Sequence, residues 1–142
     1  MKLENSIHIN CPSEKAFAFA TDFSNASKWM VGFIEAKILT VGEPRVGAQY
    51  MLASKFVGQK MEMKSEITAW EPPSRYEYKS VDAPVFMHGG FSFIAEDGGT
   101  LVTMHAEGEF GGLLKLAEGM MKSQMDKQMD DTMQALKKAL EG

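Results

Sequence analysis

One long helical pattern closes this chain and constrains what the rest can be. Between Gly111 and Leu140, methionines recur at Met121, Met125, Met129 and Met133, and Leu136 and Leu140 continue the line. Spacings of three and four place these side chains on one face of an α-helix. Asp126, Lys127, Asp130, Asp131, Lys137 and Lys138 fall largely between them, and no proline interrupts the run. Gly111-Gly112 provides a flexible entry. An amphipathic helix of this length must bury its stripe against something. Almost everything before it reads as strand, so its partner is a sheet.

The strands are read from alternation. Leu3, Asn5, Ile7 and Ile9 mark a first half-buried strand, ended by Asn10-Cys11-Pro12-Ser13. Pro12 suits a helix entry, and Ser13-Glu14 offers a cap and an acid in the first turn. Ala16, Phe17, Phe19, Ala20 and Phe23 predict a short helix. Ser24 or Asn25 is the expected cap of a second one ending near Trp29. Phe33 to Val41 is a second strand, stopped by Gly42-Glu43-Pro44. Gly47 opens a third, with Tyr50, Leu52, Ser54 and Phe56 on one face, and Gly58 marks the hairpin to the fourth. There Met61, Met63, Ser65, Ile67 and Ala69 oppose Glu62, Lys64, Glu66 and Thr68. That is the dry and wet pair of faces of an antiparallel sheet. After the turn Glu71-Pro72-Pro73-Ser74, Tyr76, Tyr78 and Ser80 lie on one face of a fifth strand. Val85 to Ala95 is the sixth, with Gly89-Gly90 suggesting a bulge or strong bend. Asp97-Gly98-Gly99 signals a hairpin. Thr100 to Glu109 is the seventh strand.

Successive short connections argue for an antiparallel meander. A sheet of this size twists and curls, and its concave face needs a cover. The last helix is the only element long enough. The expected fold is therefore α+β and a single domain over residues 1–142: seven strands curved around a long C-terminal helix, with two short helices between strands one and two. Because a curved sheet departs from a straight rod, a cavity can remain between them, and such cavities are typical small-molecule sites.

Composition narrows the function. Formal net charge is -4, and the lysines and arginines are scattered rather than clustered, which disfavours nucleic acid. One cysteine, Cys11, excludes an intrachain disulfide and any zinc site built on several thiolates. Met1-Lys2-Leu3-Glu4-Asn5-Ser6 lacks the apolar core of a signal peptide, and no apolar run is long enough to insert stably in a membrane. A cytoplasmic location is expected, as monomer or homodimer.

The order of elements, with specific phrases, resembles the START-like helix-grip superfamily, and within it the polyketide cyclase/dehydrase and lipid transport (SRPBCC) type. The phrases are Ile9-Asn10-Cys11-Pro12-Ser13-Glu14-Lys15-Ala16-Phe17, then Asp22, Asn25 and Trp29, and Gly47 opening a strand. Further on come Trp70-Glu71-Pro72-Pro73-Ser74-Arg75 and Gly98-Gly99-Thr100-Leu101-Val102-Thr103. The resemblance covers essentially the whole chain. It implies a helix-grip fold and a ligand such as a lipid, polyketide, hormone or quinone. It does not fix one function.

Chemistry-bearing residues are sparse. His8, His88 and His105 fall on wet faces and show no metal spacing. Cys11 reads as a small packing residue without a base beside it. Glu62, Glu66, Glu77, Glu107 and Glu109 alternate outward, so no acid and base pair is expected. No glycine pair has phosphate-loop spacing, and no cofactor is expected. What remains inside is apolar or weakly polar: Tyr50, Tyr76, Tyr78, Ser54 and Ser65, with Gln124 and Gln128 beside the methionine stripe. Such groups either satisfy one another or orient the polar end of a greasy ligand. Trp29 reads as a plug between the short helices and the sheet. With Val81-Asp82-Ala83-Pro84, its surroundings border the cavity mouth in proteins of the resembled family.

The chain has twelve methionines, flexible and polarizable residues suited to a pliable wall. The expected pocket floor is Tyr50 and Leu52, Met61 and Met63, Tyr76 and Tyr78, Met87, Phe91 and Phe93, and Met104. Met121, Met125 and Met129 are the lid. The expected function is binding, and conceivably transport, of a lipid, an isoprenoid or an aromatic polyketide. Affinity would come mainly from buried apolar area, at roughly 25 cal/mol per Å² before ordering costs. Two other classes stand beside it. One is a cyclase or dehydratase using the same pocket, with tyrosines as proton donors. The other is an interaction module, as in chaperone-activator relatives of the fold, which needs a large exposed apolar patch instead of a deep cavity.

Overall fold

The computed structural model describes residues 1–56, 58–82, 86–109 and 118–142. Its order is β1 (Lys2–Ile9), α1 (Ser13–Thr21), a 3₁₀ turn (Phe23–Asn25), α2 (Ala26–Trp29), β2 (Phe33–Ile38), β3 (Gln49–Phe56), β4 (Gln59–Glu71), β5 (Arg75–Asp82), β6 (Phe86–Glu96), β7 (Gly99–Glu109) and α3 (Glu118–Glu141). The strands form one antiparallel sheet in the order β1-β7-β6-β5-β4-β3-β2. This is the helix-grip arrangement expected from the alternation pattern. Val85 and residues 111–117, which the pattern assigned to β6 and to the start of the last helix, lie outside the described residues, as do Ala83 and Pro84.

Local chemistry sets most boundaries. Asp97 (φ 45) and Gly98 (φ 76) turn the chain between the paired Glu96 and Gly99. Two consecutive positive φ angles match the twist of the flanking strands. β2 stops at Ile38 rather than Val41, because the Leu39 and Thr40 N–H groups both turn onto the Gln49 carbonyl (3.0 and 3.2 Å). Asn25 stands at the N-cap of α2 as expected, but neither it nor Ser13 makes a capping side-chain hydrogen bond. Ser13 is already inside α1, and its hydroxyl pairs with Thr100 Oγ1 at 3.1 Å. At the next corner the cap is Asp22, whose carboxylate accepts from the Ser24 N–H at 3.0 Å.

Gly89-Gly90 is not a bulge. Tyr78 pairs with Gly89 and Glu77 with Gly90, and β6 stays in register with β7 past both. The register shifts lie elsewhere, between Phe33 and Glu35, between Lys64 and Ser65, and between Ile67 and Ala69. A Cβ at Gly89 would run into the His105 carbonyl, and one at Gly90 into the Tyr76 carbonyl. These glycines let neighbouring backbones close in on both sides of β6.

At one end of the concave face α1 and α2 seal the sheet with aromatic rings. Phe17 meets Phe93 edge-on (centroids 5.3 Å apart) and Trp29 meets Phe91 (5.8 Å), while Tyr76, Phe91 and Phe93 stack in a row beneath them. Trp29 is the plug the sequence suggested.

The stripe of α3 is unevenly buried. Met129, Met133, Leu136 and Leu140 are buried, whereas Met121 and Met125 are half-buried. The helix packs chiefly on β1 and α2. Its last turn is tied down by Lys137 Nζ, which donates to the His8 carbonyl (2.7 Å) and to Glu141 (2.7 Å). Glu141 in turn accepts from the Asn10 N–H at 2.9 Å. Its middle is tied at one peptide: Gln128 Nε2 donates to the Val31 carbonyl (2.9 Å), and the Val31 N–H donates to Thr132 Oγ1 (3.2 Å). The next residue, Gly32 (φ +84), accepts from the Lys55 N–H at 2.7 Å. The Val31-Gly32 segment is thus held between α3 and β3.

The two halves of the helix are therefore expected to differ in what truncation costs. Leu136→Ala should lower unfolding free energy by about 2–5 kcal/mol, the range for a buried leucine. Met121→Ala should cost less than about 1 kcal/mol, since its site is already open on one side. Denaturant unfolding of both variants measures the contrast.

Candidate functional site

Where the first half of α3 rises off the sheet, a cavity of about 230 Å³ remains. Its floor is set by strand register. Leu52 on β3 faces Met63 on β4, and Tyr78 on β5 continues through Gly89 and Ala106 to Leu3 on β1. Met61, Met87 and Met104 fill the floor between these rows, with Ser54 at its β3 side. Met121, Met125, Met129, Gln128 and Thr132 form the roof. Met30, Val31 and Phe33, leaving α2, form a side wall. Eight of the chain's twelve methionines line this one space.

Polar groups around it are few and mostly engaged. Gln128 and Thr132 hold the Val31 peptide. Among the described residues, Glu62 is the one charged residue lining the cavity. It lies at the rim, exposed and 3.1 Å from Lys60. The Tyr78 hydroxyl sits over Gly89, where an added Cβ would approach it to 3.1 Å. Burial pushes this phenol up to about 12. Tyr50 and Tyr76 are raised as well. Burial dominates in both; Tyr78 adds to the shift of Tyr50, while Tyr50 and Tyr78 add to that of Tyr76. Ser65 pairs with Tyr50 and Ser80 across the sheet and is fully buried, yet its Oγ lies outside hydrogen-bond geometry to any described neighbour. Trp29 Nε1 is likewise buried without a described partner. The interior thus offers neutral phenols and thioethers. Phenols held protonated can donate hydrogen bonds and make poor bases near neutral pH.

The structure brings together nine of the thirteen residues expected to line the pocket: Leu52, Met61, Met63, Tyr78, Met87, Met104, Met121, Met125 and Met129. The other four lie elsewhere. Phe91 and Phe93 share the concave face but are closed over by Trp29 and Phe17. Tyr50 and Tyr76 border a separate space at the other end of the sheet. Leu3, Met30, Phe33, Ala106 and Thr132 were not foreseen as lining residues. Leu3 carried a signal in its alternation, and Thr132 in its helical spacing from Gln128 and Met129. The resemblance put Met30 and Val31-Gly32-Phe33 only at the border of the mouth, since their place in the wall depends on how α2 sits against α3.

The remaining chemical candidates stay outside the cavity. His88 and His105 face Glu107 and Glu77 on the outer side of the sheet, at 3.8 and 3.5 Å. His8 Nε2 pairs with the Glu96 carbonyl at 2.9 Å. Cys11 is buried, and that burial pushes its thiol up, which suits packing better than nucleophilic attack. Among the described residues no group of His, Cys, Asp and Glu is arranged to hold a metal, and no helix is long and apolar enough to cross a membrane.

Residues 1–141 match the polyketide cyclase / dehydrase and lipid transport family, and the chain belongs to that family. Solved structures share the fold at low identity. TTHA0849 from Thermus thermophilus superposes with a TM-score of 0.85 at 15% identity, covering 99% of this chain and 97% of that one. The Zhui aromatase/cyclase from Streptomyces sp. R1128 gives 0.82 at 15% identity, covering 99% and 93%. The di-domain ARO/CYC protein BexL of the BE-7585A biosynthetic pathway gives 0.79 at 15% identity; all of this chain aligns with 50% of it. No curated protein matches by sequence.

The raised phenols have a consequence at alkaline pH. A tyrosine whose folded pKa exceeds its ordinary 10.0 stabilises the fold fully below that value. The contribution is lost as pH rises through the folded value, because the unfolded chain ionises first. With all three tyrosines shifted upward, tyrosinate absorbance should stay low past pH 10 and then rise together with loss of the fold. A simple titration centred at 10 in the folded protein would contradict the burial of these groups.

Proposed function

We propose that this protein binds an uncharged hydrophobic small molecule, a lipid, isoprenoid or aromatic polyketide, in the methionine-lined cavity, and acts as its carrier. The observation that carries the reading is the gathering of eight methionines, drawn from the end of α2, three strands and α3, around one space. A core that needs only filling is better served by leucine, isoleucine and valine, which keep defined rotamers. Thioether chains instead adapt to the shape of what enters. The absence of any lining cation among the described residues disfavours a ligand that carries a buried anionic group. The half-buried start of α3 supplies a way in.

The test is uptake of the neutral dye N-phenyl-1-naphthylamine by protein first stripped with organic solvent. Wild type should bind it with saturating fluorescence. Met63→Lys or Met125→Glu should weaken uptake by more than roughly tenfold, because each puts a charge into an apolar space. Unchanged uptake by a folded variant would contradict the reading.

A cyclase reading draws on the family description and on Tyr78, the phenol that lines this cavity. Orientation of a folded polyketide by the walls would supply most of the acceleration, and Tyr78 would donate a proton. Tyr78→Phe separates the two. A carrier should keep dye uptake within about twofold, since the ring and its apolar area remain. A cyclase should lose most of its turnover of a poly-β-keto substrate. The cavity itself weighs against the interaction-module reading.

A further inference from the structure

A second cavity, of about 470 Å³, lies at the other end of the concave face. Tyr50 on β3, Ile67 and Trp70 on β4 and Tyr76 on β5 wall it, and the 3₁₀ turn closes it with Phe23. Among the described residues none lines both cavities. Voids much larger than a water are uncommon in protein interiors, and this volume falls within the range of ligand sites. We propose that it is a second ligand site, independent of the methionine cavity, that takes a small uncharged aromatic molecule bearing one hydrogen-bonding group.

Four observations converge on that ligand class. The walls are aromatic. Phe23 and Tyr50 lie with ring centroids 4.9 Å apart, and Trp70 and Tyr76 6.0 Å apart, so a planar ring would add to an existing aromatic cluster. The charged residues around the cavity are Asp22 and Glu43, both acidic. Asp22 is engaged with Ser24, and Arg45 in the neighbouring loop donates to the Val41 and Glu43 carbonyls. An anionic ligand would therefore meet carboxylates and no free guanidinium. Tyr50 and Tyr76 are both lining residues, and burial keeps their phenols neutral, so each can donate or accept. The mouth is aliphatic. Ile38, the last residue of β2, lines it at 62% exposure, and Val41 in the loop that follows is 93% exposed. An apolar solute is favoured at such an entrance.

The experiment is calorimetric titration of the full chain with 2-naphthol, with naphthalene, and with naphthalene-2-sulfonate. It is run in the Met125→Glu background, where the methionine cavity is spoiled. One equivalent of 2-naphthol should still bind, and the sulfonate should bind more weakly. Ala48→Phe, which fills the second cavity, should remove this binding. Tyr50→Phe or Tyr76→Phe should weaken 2-naphthol roughly fivefold, the loss of one hydrogen bond, and leave naphthalene unchanged. Loss of all 2-naphthol binding in Met125→Glu would overturn the proposal. So would full 2-naphthol affinity in both tyrosine variants, a result that decides the matter even where Ala48→Phe does not fold. Wild-type protein that binds 2-naphthol but ignores N-phenyl-1-naphthylamine would refute the methionine-cavity reading alone.

Discussion

Everything about the methionine cavity depends on the last helix being seated along only half its length. From Met129 onward its apolar face is buried against β1 and the short helices. Before that point the helix spans a gap. The division falls where Gln128 and Thr132 grip the Val31 peptide, and the Gly32 carbonyl is held in turn by β3. A longer side chain cannot replace Gly32. Its φ is +84, and a Cβ there would lie 2.5 Å from the Lys55 carbonyl oxygen. This three-way junction sets the height of the roof.

The chemistry available beneath that roof is limited, and the limits are informative. His88 and His105 face Glu107 and Glu77 on the outer side of the sheet. The thiol of Cys11 is packed away. The phenols are held in their neutral form by burial. A site of this kind recognises shape and apolar area first, and one or two hydrogen-bonding groups second. Membership of the polyketide cyclase / dehydrase and lipid transport family agrees with such a site, and the low identity to solved structures carries the fold alone.

The sequence disclosed the fold more fully than the site. Alternation in β4, the Asp97-Gly98 turn and the helical spacing of the methionines each reflect local physics, and each was readable. Site membership was readable only to the resolution of a face. Phe91 and Met104 are cross-strand partners on the same concave surface, yet Phe91 lies under Trp29 and Met104 lies under the open half of α3. Nothing in either strand distinguishes them, because the difference is made by where α1 and α2 land. Tyr76 and Tyr78 show the same thing along one strand: two residues apart, they border different cavities. Met30 and Phe33 were expected only at the border of the mouth, by resemblance, for the matching reason: their place is set by the Val31 junction with a helix about a hundred residues away.

The most direct measurement is a methyl spectrum of protein carrying carbon-13 at every methionine methyl, recorded with and without N-phenyl-1-naphthylamine. The account predicts that the methyls of Met30, Met61, Met63, Met87, Met104, Met121, Met125 and Met129 shift together on binding. Those of Met51, Met120 and Met133, which lie outside the cavity, should hold their positions. Shifts confined to the second group, or none in the first while the dye is bound, would contradict the assignment of this space as the ligand site.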